Sequence, residues 1–74
     1  MKKYNERLKE LREDRDVTQQ YVADLLKTTR SYYGQYERGV RPLPMDHLIT
    51  LCNFYGVSAD YILGLPENMP FPKR

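Results

Sequence analysis

The 74-residue chain has room for one small domain and no second one. It carries 12 Lys plus Arg against 10 Asp plus Glu, a net charge of +2, so global charge alone points to no nucleic acid, membrane or acidic partner. The single cysteine, Cys52, excludes an internal disulfide, and with His47 as the sole histidine a four-ligand zinc site is excluded unless Asp or Glu complete it.

Leu, Ile, Val and Phe make up about 23 % of the chain, enough for a thin core and little more. A domain of this size without covalent staples depends on well-packed helices or on a partner subunit. No apolar stretch follows the basic N-terminus, because Asn5, Glu6 and Arg7 interrupt at once. The longest apolar runs are three residues, as at Tyr61-Ile62-Leu63, far too short to span a bilayer. The free thiol and the lack of an export signal point to the cytoplasm.

All five prolines lie between Pro42 and Pro72, and the apolar spacing before them is helical. Five helices are predicted. The first covers Tyr4 to Asp14, with Tyr4, Leu8 and Leu11 forming one apolar stripe on a charged rod. The second starts from Thr18 as N-cap, with Val17 and Val22 placed as a hydrophobic staple, and ends near Leu26. Val22, Ala23, Leu25 and Leu26 form its buried face. Only Lys27 and Thr28 separate it from the third helix, which runs from the cap Thr29 to Gly39.

The fourth helix begins with Pro44 at its first position and closes at Gly56, with Met45, Leu48, Ile49, Leu51, Cys52 and Tyr55 as its apolar residues. The fifth is short, capped by Ser58 and stopped by Gly64, with Ala59, Ile62 and Leu63 packing. The Pro-rich segment that follows is expected to be an irregular tail, dividing the chain into a domain at 1–65 and a tail at 66–74.

Residues 1–26 are neutral, residues 27–43 carry +3, residues 44–70 carry −3, and Lys73 with Arg74 add +2. The basic excess therefore sits on the third helix and the loop after it. At about 100° per residue, Arg30, Gly34, Arg38, Ser31 and Gln35 share one arc. Tyr32, Tyr36 and Tyr33 take the opposite arc, with Glu37 at a boundary. Arg and Gln are the side chains that pair with guanine and adenine edges in the major groove. Gly34, on the outward face, would let another surface approach closely, although it weakens a helix by about 1 kcal/mol relative to Ala.

Four segments in register resemble the lambda-repressor-like (XRE, Cro/repressor) helix-turn-helix proteins. They are Arg7-Leu8-Lys9-Glu10-Leu11-Arg12-Glu13, Val17-Thr18-Gln19-Gln20-Tyr21-Val22-Ala23, Tyr36-Glu37-Arg38-Gly39, and Gly56 through Gly64. The resemblance covers about residues 4–65. It implies a compact five-helix, all-α domain whose second and third helices form the helix-turn-helix. It also implies double-stranded operator DNA as partner, usually bound by a homodimer with the third helix in the major groove.

Carried over by position, the resemblance makes Arg30, Ser31 and Gln35 base-contacting residues. Gln19, Tyr32, Arg38 and Arg41 become backbone-contacting residues, with Gln19 also bracing the recognition helix. Arg12 and Glu37 match a partly buried ion pair. Lys27 stands where the family usually has Gly. A left-handed Lys27 costs about 1 kcal/mol, which a phosphate contact would offset, or else the turn differs.

Tyr61, Leu65 and Phe71 are expected at a dimer interface, the alternative being that Leu65 and Phe71 fold back on their own chain. His47 is expected to be an exposed polar residue and Cys52 a small core hydrophobe. No nucleophile with a base, no carboxylate pair and no phosphate-cradling Gly loop is present, so neither enzyme activity nor a cofactor or metal is expected. The reading that follows is a sequence-specific repressor binding a pseudo-palindromic operator as a homodimer. Two alternatives remain: a protein-interaction module of the same fold (an antitoxin-like or adaptor subunit binding a protein through the C-terminal region), and the N-terminal domain of a longer repressor.

Overall fold

The computed structural model describes residues 2–66. It contains five α-helices: α1 Tyr4–Asp14, α2 Gln19–Leu25, α3 Arg30–Arg38, α4 Met45–Tyr55 and α5 Ala59–Leu63. No strand occurs among the described residues. Helix α3 packs on both α1 and α2, and α5 packs on α1 and α4.

Local chemistry accounts for where the helices start. The hydroxyls of Thr18, Thr29 and Ser58 accept the backbone N–H of Tyr21, Tyr32 and Tyr61 at 3.0, 3.1 and 3.2 Å. Each satisfies one of the donors that a helix N-terminus leaves unpaired. At α1 the Glu6 carboxylate reaches back to the Lys3 N–H at 2.9 Å. Pro44 is the N-cap of α4 with extended backbone, and Met45 takes the first helical position. This corrects the expectation of proline at that position: the Pro44 carbonyl already accepts from Leu48 N–H at 3.0 Å, the bond an N-cap makes.

The ends of α1 and α2 are less expected. Helix α2 finishes with Thr28 N–H donating to Ala23 O at 2.9 Å and Lys27 N–H to Asp24 O at 3.1 Å. This pair of bonds forms only when the residue after the C-cap is left-handed. Lys27 is so placed, with φ 57°, and Asp16 does the same after α1 with φ 58°. Asp tolerates that region better than Lys, since its short polar side chain bonds locally. The turn between α2 and α3 therefore keeps the geometry glycine would favour, with a lysine in it.

The core is Leu8, Val22, Ala23, Leu26, Tyr33, Tyr36, Leu48, Leu51, Tyr55 and Ile62. Tyr4, Leu11, Val17 and Leu25 pack against it, as do Cys52 and Ala59. Burial pushes the Cys52 thiol pKa up, which suppresses its thiolate. Two expectations need correction, those for Leu63 and His47. Leu63 is 42 % exposed at the outer side of α5, and Met45 and Ile49 lie on the open side of α4, because no element among the described residues covers those faces. His47 is half-buried, its ring 6.0 Å from that of Tyr36. Arg7 is half-buried as well, its guanidinium 5.2 Å from the centre of the Tyr61 ring.

The turn makes a direct prediction. Lys27→Gly removes the left-handed strain and regains more than it loses in unfolded-chain entropy, so Tm should rise by about 2–6 °C in thermal denaturation followed by circular dichroism. An unchanged or lower Tm would mean that the lysine is not strained there.

Candidate nucleic-acid interface

The base of the site is a partly buried ion pair, its carboxylate end the deeper one. Arg12 Nε donates to Glu37 Oε2 at 2.7 Å and Arg12 Nη2 to Glu37 Oε1 at 3.3 Å, the forked geometry a guanidinium makes with a carboxylate. Arg12 Nη1 also donates to Val17 O at 3.0 Å. Gln19 Nε2 donates to Glu37 Oε1 at 3.1 Å, and Asn5 Nδ2 to the Glu37 carbonyl at 3.1 Å. Through one residue of α3, then, α1 and α2 are held to the C-terminal half of that helix.

Glu37 is 7 % exposed. Burial alone would raise its pKa, but the hydrogen bonds it receives, that of Arg12 foremost, outweigh this and hold it below the ordinary 4.5. The hydroxyls of Tyr33 and Tyr55 are buried close by without a hydrogen-bond partner. Burial first, and then the Glu37 charge, push the Tyr33 pKa upward and that of Tyr55 up to about 12. Both phenols stay neutral, so Glu37 and Arg12 balance each other in this pocket.

Above this layer lies the outward side of α3. A groove of about 380 Å³ is lined by Gln19, Arg30, Ser31, Gly34 and Arg38. A second, of about 580 Å³, is lined by Arg12, Thr18, Gln19, Gln20 and Arg30. Arg30 and Ser31 are exposed, whereas Gly34 is buried beneath its own neighbours. A Cβ at Gly34 would meet Arg38 Nη1 at 3.2 Å and Gln19 Oε1 at 3.8 Å. The gap expected at Gly34 is thus already occupied, by the returning Arg38 and Gln19 side chains, which corrects the picture of an open notch.

The predicted residues fall into two clusters on α3. Arg30, Ser31 and Arg38 share the groove with Gln19. Gln35, Tyr32 and Arg41 form the other: Arg41 Nε donates to Gln35 Oε1 at 3.0 Å, and the Arg41 guanidinium lies 4.5 Å from the Tyr32 ring centre. Lys27 stands apart in the α2–α3 turn, exposed. Among the described residues no acidic group lies within salt-bridge distance of Lys27, Arg30, Arg38 or Arg41. Tyr61 and Leu65 are 47 % and 44 % exposed beside Arg7 and Gly64. Phe71 lies outside the described residues. Sequence reasoning missed Asn5, whose contact with Glu37 spans 32 positions, and Arg15, which donates to Tyr55 O at 2.6 Å across 40. Neither contact has a local signal. Among the described residues no group of His, Cys, Asp or Glu is arranged to hold a metal ion, and no helix is long and apolar enough to cross a membrane.

Comparison with known proteins agrees with this arrangement. Residues 8–62 match the family model described as Helix-turn-helix. The chain is 40 % identical over 70 residues to the HTH-type transcriptional regulator YobD of Bacillus subtilis, covering 95 % of this chain and 62 % of that protein. It is similar in fold to the crystal structure of a transcriptional regulator from Listeria innocua, with a TM-score of 0.83, 21 % identity, and 90 % and 63 % of the two chains covered. It is also similar in fold to the P22 c2 repressor, solved in complex with a synthetic operator, with a TM-score of 0.77, 21 % identity, and 85 % and 96 % covered. The chain belongs to the helix-turn-helix family of the XRE, lambda-repressor-like type. It spans about three fifths of the length of YobD.

The ion pair predicts an acid-sensitive fold. Because the Glu37 pKa is depressed in the folded state, its contribution is fully present above 4.5 and is lost as pH falls through the folded-state value. Glu37→Gln should therefore cost about 2–4 kcal/mol at pH 7 and flatten the acid limb of a urea-denaturation series between about pH 5 and pH 2. A variant with the wild-type acid limb would show that Glu37 does not carry it.

Proposed function

We propose that this chain is a transcriptional repressor that binds a pseudo-palindromic operator as a homodimer, in the cytoplasm, with α3 in the major groove. Residues 1–65 are the DNA-binding unit in this reading. The observation that carries it is the set of four cations, Lys27, Arg30, Arg38 and Arg41, exposed along α3 and its flanking turns without acidic partners among the described residues, while the acid of the same helix is buried and neutralised by Arg12. Leaving cations unpaired on one face is unfavourable in isolation and favourable beside a phosphate backbone. Arg30 lies in the first turn of α3, where a cation opposes the helix dipole, a cost that a contact with DNA would offset.

The roles divide by position. Arg30, Ser31 and Gln35 face base edges. Lys27, Arg38, Arg41 and Tyr32 meet the sugar–phosphate backbone, and Gln19 does so with the amide hydrogen that Glu37 does not use. The exposed Tyr61 and Leu65 at the end of α5 supply the homodimer contact. The operator-bound P22 c2 repressor, similar in fold, supports the reading by analogy.

Selection of bound duplexes from a random pool should return a palindrome with half-sites about one helical turn apart. On that duplex, Arg30→Ala should cost about 1–3 kcal/mol in fluorescence anisotropy, and Lys27→Gln should reduce the log–log salt slope by about 1. Equal affinity for every duplex at about 150 mM salt would overturn sequence-specific recognition. Stoichiometric capture of another protein with no DNA retained would favour an interaction module instead.

A further inference from the structure

We infer that Arg41 sets the base preference of Gln35, so that this position of α3 reads guanine where an unrestrained glutamine would read adenine. The inference rests on the DNA-binding reading above and adds a specificity-determining role for a residue outside the recognition helix.

The geometry begins at Gly39. Its left-handed backbone, φ 75°, lets Gly39 N–H bond Tyr36 O and Val40 N–H bond Gln35 O, each at 3.1 Å. These bonds turn the chain back alongside the last turn of α3 and fix where Arg41 emerges. Arg41 is then held twice. Its Nε donates to Gln35 Oε1 at 3.0 Å, and its guanidinium lies over the Tyr32 ring at 4.5 Å. Tyr32 and Gln35 are three residues apart, neighbours across the boundary between the aromatic and outward arcs of the helix, so one planar cation bridges both.

An arginine Nε can only donate, so the amide oxygen of Gln35 must be the atom facing Arg41, and its NH2 points away. Bidentate pairing of glutamine with adenine needs both ends of the amide: Nε2–H onto N7, and Oε1 accepting from N6–H. Here one lone pair of Oε1 is taken by a cation, and an N6–H approaching the other would lie beside like-polarised guanidinium hydrogens. Guanine presents only acceptors at the same edge, O6 and N7. The Gln35 NH2, held outward by Arg41, is a donor suited to either of them. Arg41 thus acts as a positioning residue, converting a two-way amide into a donor.

The test compares duplexes selected from a random pool by the wild-type chain and by Gln35→Ala, Arg41→Ala and Tyr32→Leu. Arg41 and Tyr32 are exposed, and unchanged far-ultraviolet circular dichroism would confirm that their variants fold. Gln35→Ala identifies the base pair that Gln35 reads, as the one whose preference disappears. The expected result is guanine at that pair for the wild type, a shift to adenine for Arg41→Ala of about tenfold in relative affinity, and a smaller shift in the same direction for Tyr32→Leu. Adenine selected by the wild type would overturn the inference. So would guanine retained by Arg41→Ala with only a reduced salt slope, the signature of a plain phosphate contact. Enrichment of any sequence upholds DNA reading itself whichever base stands at the Gln35 pair, whereas a pool with no enrichment overturns both proposals.

Discussion

The Arg12–Glu37 bridge is the contact through which the rest of the reading surface is placed. Glu37 sits on the inner side of α3 near its C-terminal end, and its carboxylate receives Arg12 from α1 and Gln19 from α2. A lone carboxylate so deeply buried would be costly, and a lone arginine beside it scarcely less so. Each is tolerable because the other is present, and this mutual dependence fixes how α3 lies on its neighbours. Asn5 adds a third partner to the tie by binding the Glu37 carbonyl next to the Gly39 turn. A network of this kind contributes more to defining one arrangement than to raw stability.

That constraint propagates to the surface. Because Gln19 spends one amide hydrogen on Glu37, its oxygen is directed over Gly34, where Arg38 also folds back. The outward side of α3 is therefore preset from beneath on the Arg30–Arg38 edge. On the Gln35 edge it is preset from outside, by Arg41 and Tyr32. A recognition surface ordered before it meets its ligand loses less side-chain freedom on binding. The two edges draw on different parts of the chain, so they can change independently.

Most of the frame was legible in the sequence because it is written locally. Thr18, Thr29 and Ser58 mark helix starts by the chemistry of capping, and Gly39, Gly56 and Gly64 mark ends by their access to left-handed backbone. The buried aromatic side of α3 followed from helical periodicity, and both Tyr33 and Tyr36 are in the core. What periodicity could not show is which apolar residues find a neighbour. The apolar face of α4 is broader than the surface available to cover it, so Met45 and Ile49 remain outside. Nor could it show contacts made by the loop after α3. Arg41 returns to Gln35 only because Gly39 reverses the chain, and on a helical wheel the two residues are unrelated. Gly34 departs from its place on the helical wheel for a similar reason: its surroundings depend on Gln19, which belongs to another helix.

The most direct test of this account is a double-mutant cycle on Arg12 and Glu37, with stability measured by urea denaturation for the wild type, Arg12→Met, Glu37→Gln and the double variant. If the bridge holds α1 and α2 to α3 as described, each single change strands a buried partner and the double change does not. The coupling energy should then be about 2 kcal/mol, with the double variant more stable than the two single losses added together. A coupling below about 0.5 kcal/mol would mean that the two residues act independently, and the placement of α3 would have to rest on the hydrophobic core alone.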